Sequence, residues 1–324
     1  MMWNRIRHAL AQSWGILSML IALNVFFSIA SPYYFSLYNF VSMLHHAAFM
    51  MIMATGMVMV IATGGIDVSI GSNMAFTGMV VANLLVRGFP VPLSILLGLG
   101  LGILIGVLNG TFIAKLNLQP LIVTLAMLSI FRGATLVVSS GYAVTGLPEG
   151  FLNVFAGKGM IQNSVYIGVG AAVLGAVLLA QTPFGLYARA VGGNEECIYV
   201  CGINTRRIKI LAYSIQGALA ALASLTFMAS VDAAEPSAGL STEWMEAIAA
   251  SILGGNQLSG GTARIFGMVI GTLILSTIRS GLNIIRVPPA YQQVAIGLVL
   301  VAAVIADSLR SRRRPTDTTE GRYA

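Results

Sequence analysis

The chain of 324 residues is 57% hydrophobic and only 9% charged, with a mean hydropathy of +0.86. A soluble domain carries about 25% charged residues, so the composition excludes a soluble globular domain. The recurring apolar runs suit a hydrocarbon core that needs about 20 helical residues to cross. The formal net charge of +7 does not point to nucleic acid, because the basic residues sit in short loops and at the two ends, where they orient membrane helices.

Segments of about ten alternating residues, the mark of a transmembrane barrel, are absent. The predicted fold is therefore all-α: a polytopic membrane protein of about ten transmembrane helices, with broken or re-entrant segments. The first span, residues 14–30, follows Arg5 and Arg7 and ends in Ser28-Ile29-Ala30, much as a signal peptide ends in a small-x-small cleavage site. Its apolar stretch exceeds the usual region of about 7–15 residues, so it is read as an uncleaved helix. Further spans centre on residues 45–62, 72–86, 93–113, 120–138, 164–181, 208–230, 244–253, 265–285 and 292–309. The eighth is too short to cross alone; it either extends back through Thr242 or is partly re-entrant. Residues 1–309 thus form one transmembrane domain with a cytoplasmic loop at 183–207, and residues 310–324 (RSRRRPTDTTEGRYA) form a basic tail read as disordered and placed to touch anionic lipid.

With the N-terminus in the cytoplasm, Lys115, Arg189, Arg206, Arg207, Lys209, Arg264 and the tail arginines fall inside. Arg87 and Lys158 fall outside, with Arg286 at an outer helix end. This asymmetry places both termini in the cytoplasm. Gly98, Gly102, Gly106 and Gly110 recur every fourth residue in the fourth span, and Gly267 and Gly271 do so in the ninth. Such faces let helix backbones approach closely in lipid.

GGIDVSIG at 64–71 interrupts an apolar stretch, and its frame returns as GGNQLSGG at 254–261. Gly64 and Gly65 break the second span, which is tolerated only where protein or a wet cavity shelters the backbone. Asp67 or Ser69 can then cap the next helix. The alternative roles for Asp67 are a part of the solute path or its gate, or an ion-pair partner for Arg132. Gly64, Gly65, Asp67, Ser69, Gly71, Arg132, Gly254, Gly255 and Ser259 are the candidate pathway residues. Arg132 lies about 18 Å into its span and either lines a water-filled cavity or packs against backbone carbonyls; Arg279, near the outer end of its span, needs only to snorkel. His45 and His46 have no acidic or cysteine partner nearby in sequence. Cys197 and Cys201 share a helical face but lack further ligands, so they read as small buried residues rather than a metal site, and two cysteines make no disulfide framework.

In the loop FGLYARAVGGNEECIYVCGINTRRIK, at 184–209, helical spacing runs from Asn194 to Cys201. Asn194 can cap that helix, Glu195 and Glu196 occupy its first turn, and Gly202 would end it. It is either an ordinary surface helix or a docking element. GGIDVSIG, RAVGGNEECIYVCGINTRRIK and AIAASILGGNQLSGG together resemble the permease subunits of ribose-type ABC sugar importers, over roughly residues 15–308. The resemblance implies two permease subunits, identical or paralogous, two cytoplasmic ATPases that carry the ATP and Mg, and a periplasmic or extracellular sugar-binding protein. It places the chain in the bacterial cytoplasmic (inner) membrane with no cofactor of its own, and gives ATPase coupling to Gly193, Asn194, Glu195, Glu196, Gly202 and Ile203. Where the family commonly has Glu-Leu-Asp before AIAA, this chain has Glu243-Trp244-Met245-Glu246, a difference expected at the outward end of the eighth span.

The chain has no G-x-x-x-x-G-K-[ST] phosphate loop, so energy for uphill transport must come from another polypeptide. Few intramembrane charges suit a neutral polyol. An ion-coupled secondary transporter would rest on Asp67, Glu246, His45 and His46, all expected towards span ends; an intramembrane enzyme would need a buried catalytic pair.

Overall fold

A computed structural model describes residues 2–157, 159–239 and 242–312. Each of the ten segments predicted to span falls on a helix: α1 (Met2–Ala30), α2 (Leu37–Ala62), α3 (Ile70–Val86), α4 (Val91–Lys115), α5 (Pro120–Ser139), α7 (Asn163–Gln181), α10 (Thr205–Val231), α11 (Glu243–Leu253), α12 (Ile265–Ile284) and α13 (Pro289–Arg312). Six of these are long and apolar enough to cross a membrane: α2, α4, α5, α7, α10 and α12. Two short helices were not foreseen, α6 (Glu149–Phe155) and α8 (Pro183–Gly193); a third, α9 (Glu195–Val200), is the short helix expected from Asn194 to Cys201. The tail from 313 onward, Lys158, Leu240 and Ser241 lie outside the described residues.

Helix α2 is the axis of the bundle. Every residue from Ala47 to Ala62 is buried, as expected of a helix that is apolar all round. Its methionines (Met50, Met51, Met53, Met57 and Met59) are buried and adapt to irregular gaps between neighbours. Helix α7 approaches α2 through Gly168, opposite Ala48, and Gly175, opposite Thr55. On another side of α2, Gly56 faces Gln216 of α10.

The glycine row of α4 does what its spacing predicts. Gly102 lies against the Gly217 carbonyl and Ala221, Gly106 against Tyr213 and Ser214, and Gly110 against Ile210. The descending order of partners along α10 makes the two helices antiparallel at backbone contact; Gly98 instead faces Val81 of α3. Gly267 and Gly271 of α12 likewise abut Gly254, just past the end of α11, and Ala250 within it.

Helix α11 does not extend back through Thr242; it starts at Glu243. At 11 residues it spans about 16 Å, so it is a half-helix, as the re-entrant alternative requires. Before it, Ala233–Ala234 pairs antiparallel with Val144–Thr145, and the chain then turns inward until Gly239 touches the backbone of Gly71. Helix α6 packs Phe151 and Phe155 into a second apolar cluster with Met79, Leu85 and Leu225.

A Cβ on Gly106 would collide with the Tyr213 carbonyl and Ser214 backbone, whereas one on Gly100 meets open space. Overpacking of this kind costs about 1–3 kcal/mol. Gly106→Ala should therefore lower the thermal midpoint of the detergent-solubilised protein, while Gly100→Ala should leave it unchanged or raise it.

Candidate functional site: a glycine junction beneath a broken-helix core

Three glycine pairs, far apart in sequence, meet at the end of the bundle that carries Arg189, Arg206, Arg207 and Lys209. Gly64 ends α2 in a left-handed conformation, φ 78°, with its amide donating to the Ile61 carbonyl at 2.9 Å. Gly192, in the last turn of α8, presses against the Ala62 carbonyl and the Gly261 amide. That amide donates to the Ala62 carbonyl at 3.2 Å, and Gly260 sits against the backbone of both Gly192 and Gly64. A side chain at Gly192 or Gly260 would have to displace main chain. Gly193 faces Gly261, and the exposed Ser259 lies beside Gly64.

The two stretches with the shared glycine frame therefore have equivalent places. Each follows a helix that ends in a left-handed glycine, Gly64 or Gly255 (φ 86°), and each leads into the next helix. Their buried backbone groups find different partners, as an apolar surrounding demands. In the first turn, the Ile66 carbonyl accepts from the Tyr213 hydroxyl at 3.2 Å and from Thr124 at 3.5 Å. In the second, buried Asn256 donates to the carbonyls of Ser251 (3.0 Å) and Arg264 (3.2 Å), and accepts from the Arg264 amide at 2.6 Å.

Asp67 is 2% exposed, and the expectation that it or Ser69 caps α3 is corrected in detail. Asp67 Oδ1 accepts from the Ser69 amide at 2.9 Å and from the Ser69 hydroxyl at 2.6 Å. This closes a local turn before the helix starts. Ser69 occupies the cap position but makes no side-chain cap bond, because its hydroxyl is engaged with Asp67 and accepts from Asn109 of α4 at 2.8 Å. The turn is thereby tied to α4. Gly71, one turn further, meets Gly239 and Trp244, so the starts of half-helix α11 and of α3 lie side by side in the interior.

Arg132 is not brought into this site. It is exposed on α5, and no hydrogen bond or ion pair among the described residues joins it to Asp67, which overturns the ion-pair alternative. Arg279 is also corrected: instead of snorkelling alone it lies 2.5 Å from His46 and 3.4 Å from Glu246. Glu246, expected near a span end, is fully buried. Chain folding thus gives His46 a charged neighbour, Arg279, that its local sequence lacks.

The 183–207 loop forms α8 and α9 in succession. Asn194 caps α9 as its spacing predicts, accepting from the Cys197 amide at 3.0 Å, and Gly202 ends it at φ 80°. Glu195 pairs with Lys209 at 2.5 Å, which fixes α9 to the start of α10, and Glu196 faces solvent. Ile203 donates its amide to the Ile198 carbonyl at 3.3 Å. No residue of α9 is buried; Tyr199 and Val200 stand out beside an open cleft lined by Gly202, Ile203, Asn204 and Arg206. Cys197 and Cys201 are exposed, not buried as expected, because α9 touches the bundle only at its edge and buries none of its residues. Among the described residues no cluster of His, Cys, Asp and Glu could hold a metal.

Comparison with known proteins agrees with this architecture. The family model described as the permease component of a branched-chain amino acid transport system matches residues 39–304. The ribose import permease protein RbsC of Bacillus subtilis (strain 168) is 39% identical over 295 residues, covering 90% of this chain and 91% of the relative. The chain belongs to the ribose-type ABC sugar permease family. RbsC of Escherichia coli (strain K12) is 38% identical, covering 89% of this chain and 92% of the relative. The D-allose transport system permease protein AlsC of the same strain is 34% identical, covering 92% and 91%. No solved structure matches. Membership makes the chain a transport subunit rather than an enzyme, and a multi-pass protein of the membrane.

Residues invisible to sequence reasoning complete the permease site: Gly192, Gly239 and Gly260 by close approach, Tyr213, Asn109 and Asn256 as partners of broken backbone or of Ser69. Gly192, Asn256 and Gly260 lie inside the quoted motifs, yet their contacts are not readable there; Asn109, Tyr213 and Gly239 lie outside them.

Replacing Asp67 with Asn keeps an oxygen for the Ser69 donors, whereas Leu strands two buried donors at about 1–3 kcal/mol each. Asp67→Asn should hold its thermal midpoint near the parent value and Asp67→Leu should fall well below it; equal losses would show that the charge itself is required.

Proposed function

We propose that this chain forms half of the translocation pathway of an ATP-driven importer for a small neutral sugar, a pentose, a hexose or a sugar-like solute. The observation that supports it most is the glycine junction, which joins the α8–α9 loop by main-chain contact to both broken-helix turns. In this reading about ten helices cross the membrane, with both termini in the cytoplasm, and the loop faces the cytoplasm as its basic residues favour. Gly193, Asn194, Glu195, Glu196, Gly202 and Ile203 then form or shape the surface on which a cytoplasmic ATPase rests. ATP and Mg reside on that ATPase, a second permease subunit completes the pathway, and an external binding protein delivers the sugar.

The physical logic is one of rigid contacts. The loop bears on α2 through Gly192 and Ala62 and on the α11–α12 turn through Gly261, so a push on α9 reaches both broken-helix turns without passing through a flexible side chain. Closure of the ATPases draws the two loops together and tilts the inner helices, which changes the side to which the pathway opens. Discontinuous helices whose ends meet inside a bundle are a recurring place for solute sites in transporters. The relatives named for ribose and D-allose support a monosaccharide as cargo.

Glu196 is the cleanest probe of the docking surface, because Glu195 also holds α9 to Lys209. Glu196→Lys should insert normally yet weaken co-purification of the ATPase subunit about tenfold or more, as expected for loss of one charge-assisted contact. ATP-driven uptake of labelled ribose by vesicles containing the ATPase and binding protein should fall in parallel. Unchanged ATPase association would remove α9 from the interface.

A further inference from the structure

At the other end of α2, about 24 Å from Ala62 at the helical rise, a charged cluster sits behind an open cleft. Thr242 donates to Glu246 Oε1 at 2.8 Å, and Arg279 reaches the same oxygen at 3.4 Å and Thr242 Oγ1 at 3.4 Å. His46 touches Arg279 through Nε2 and Ser276 through Nδ1, at 2.5 Å and 3.3 Å. Glu246 Oε2 is buried with no partner among the described residues. Arg279 is 29% exposed while Glu246 is 1% exposed, so the guanidinium is the member that opens outward. It opens into a cleft of about 470 Å³ between α2 and α12, to which Tyr38, Asn39, Ser280 and Asn283 also contribute.

Three features of this cleft constrain its ligand. Its volume falls within the range of about 300–1,000 Å³ typical of small-molecule sites. Arg279 has five donors, of which its protein contacts engage at most three, so two remain for a guest. Its charge is balanced by Glu246, which removes the attraction that an anionic guest would need and leaves directional donors and acceptors. Hydroxyl, amide and guanidinium groups beside a tyrosine ring match a polyhydroxylated, uncharged molecule.

We propose that this cleft is a contact site for the transported neutral polyol, with Arg279, oriented by His46 and Glu246, as its principal donor and Asn283 as a rim contact. The proposal rests on the sugar-permease reading and adds the residues that meet the cargo.

The test uses the full complex of permease, ATPase and binding protein in vesicles, offered labelled D-ribose, D-allose and L-arabinose. If the parent complex moves none of them, the function reading fails. If the parent transports, Arg279→Lys and Asn283→Ala should each change the ratio of maximal rates among the three sugars about three- to tenfold, the effect of one lost hydrogen bond. Assembly with the ATPase, measured by gel filtration, accompanies each variant; Asn283 is exposed, so its variant carries the test if Arg279→Lys does not assemble. Unaltered ratios in an assembled Asn283→Ala complex, or parent vesicles that prefer D-ribose 5-phosphate to D-ribose, would overturn the proposal.

Discussion

Main chain that leaves the helix inside an apolar bundle must have its amides and carbonyls answered by the protein, and this requirement organises the molecule. Both interruptions, after α2 and after α11, end at the same place, where Gly64, Gly192 and Gly260 allow three backbones to touch. The Ala62 carbonyl accepts from the Gly261 amide there, and Tyr213, Thr124 and Asn256 serve the remaining exposed groups. Without side chains at the contact, little can yield when one of the three segments moves.

That stiffness matters because of what lies on either side. Outside the junction stands α9, with no buried residue of its own but held to α10 by the Glu195–Lys209 pair. Inside it, α2 runs through the centre of the bundle, and its far half carries His46 against Arg279, which in turn reaches Glu246. A single buried helix thus links the exposed loop to the charged cluster. The glycine faces of α4 against α10 and of α11 against α12 let their neighbours pack at backbone distance, which suits a bundle that moves as a few stiff bodies. In the proposed cycle, the cytoplasmic engine acts on a frame whose moving parts are half-helix α11 and the turn that follows α2.

Much of this was legible in the residues. Long apolar runs located all ten principal helices, because length and hydropathy are properties of single segments. The four-residue glycine rhythm of α4 announced a close helix partner, and the Asn194 and Gly202 boundaries of α9 followed from capping chemistry. What escaped were features made by chain crossing. Glu246 looked like a span-end carboxylate because α11 is short, yet the inward turn ahead of it places it in the core. Arg279 and His46 looked unpartnered because their partner is on another helix. Cys197 and Cys201 looked suited to burial by size, but burial requires packing on several sides, and α9 lies at the edge of the bundle with no buried residue of its own.

The most direct measurement of the account is the number of sugar molecules moved per ATP hydrolysed by the reconstituted complex carrying Gly192→Ala. A methyl group there pushes against the Ala62 carbonyl and the Gly261 amide while leaving α9 and its exposed face intact. The account predicts a complex that assembles and hydrolyses ATP but moves far less sugar per ATP than the parent. A parent-like ratio in an assembled complex would contradict it, since motion would then reach the pathway by some route other than the glycine junction.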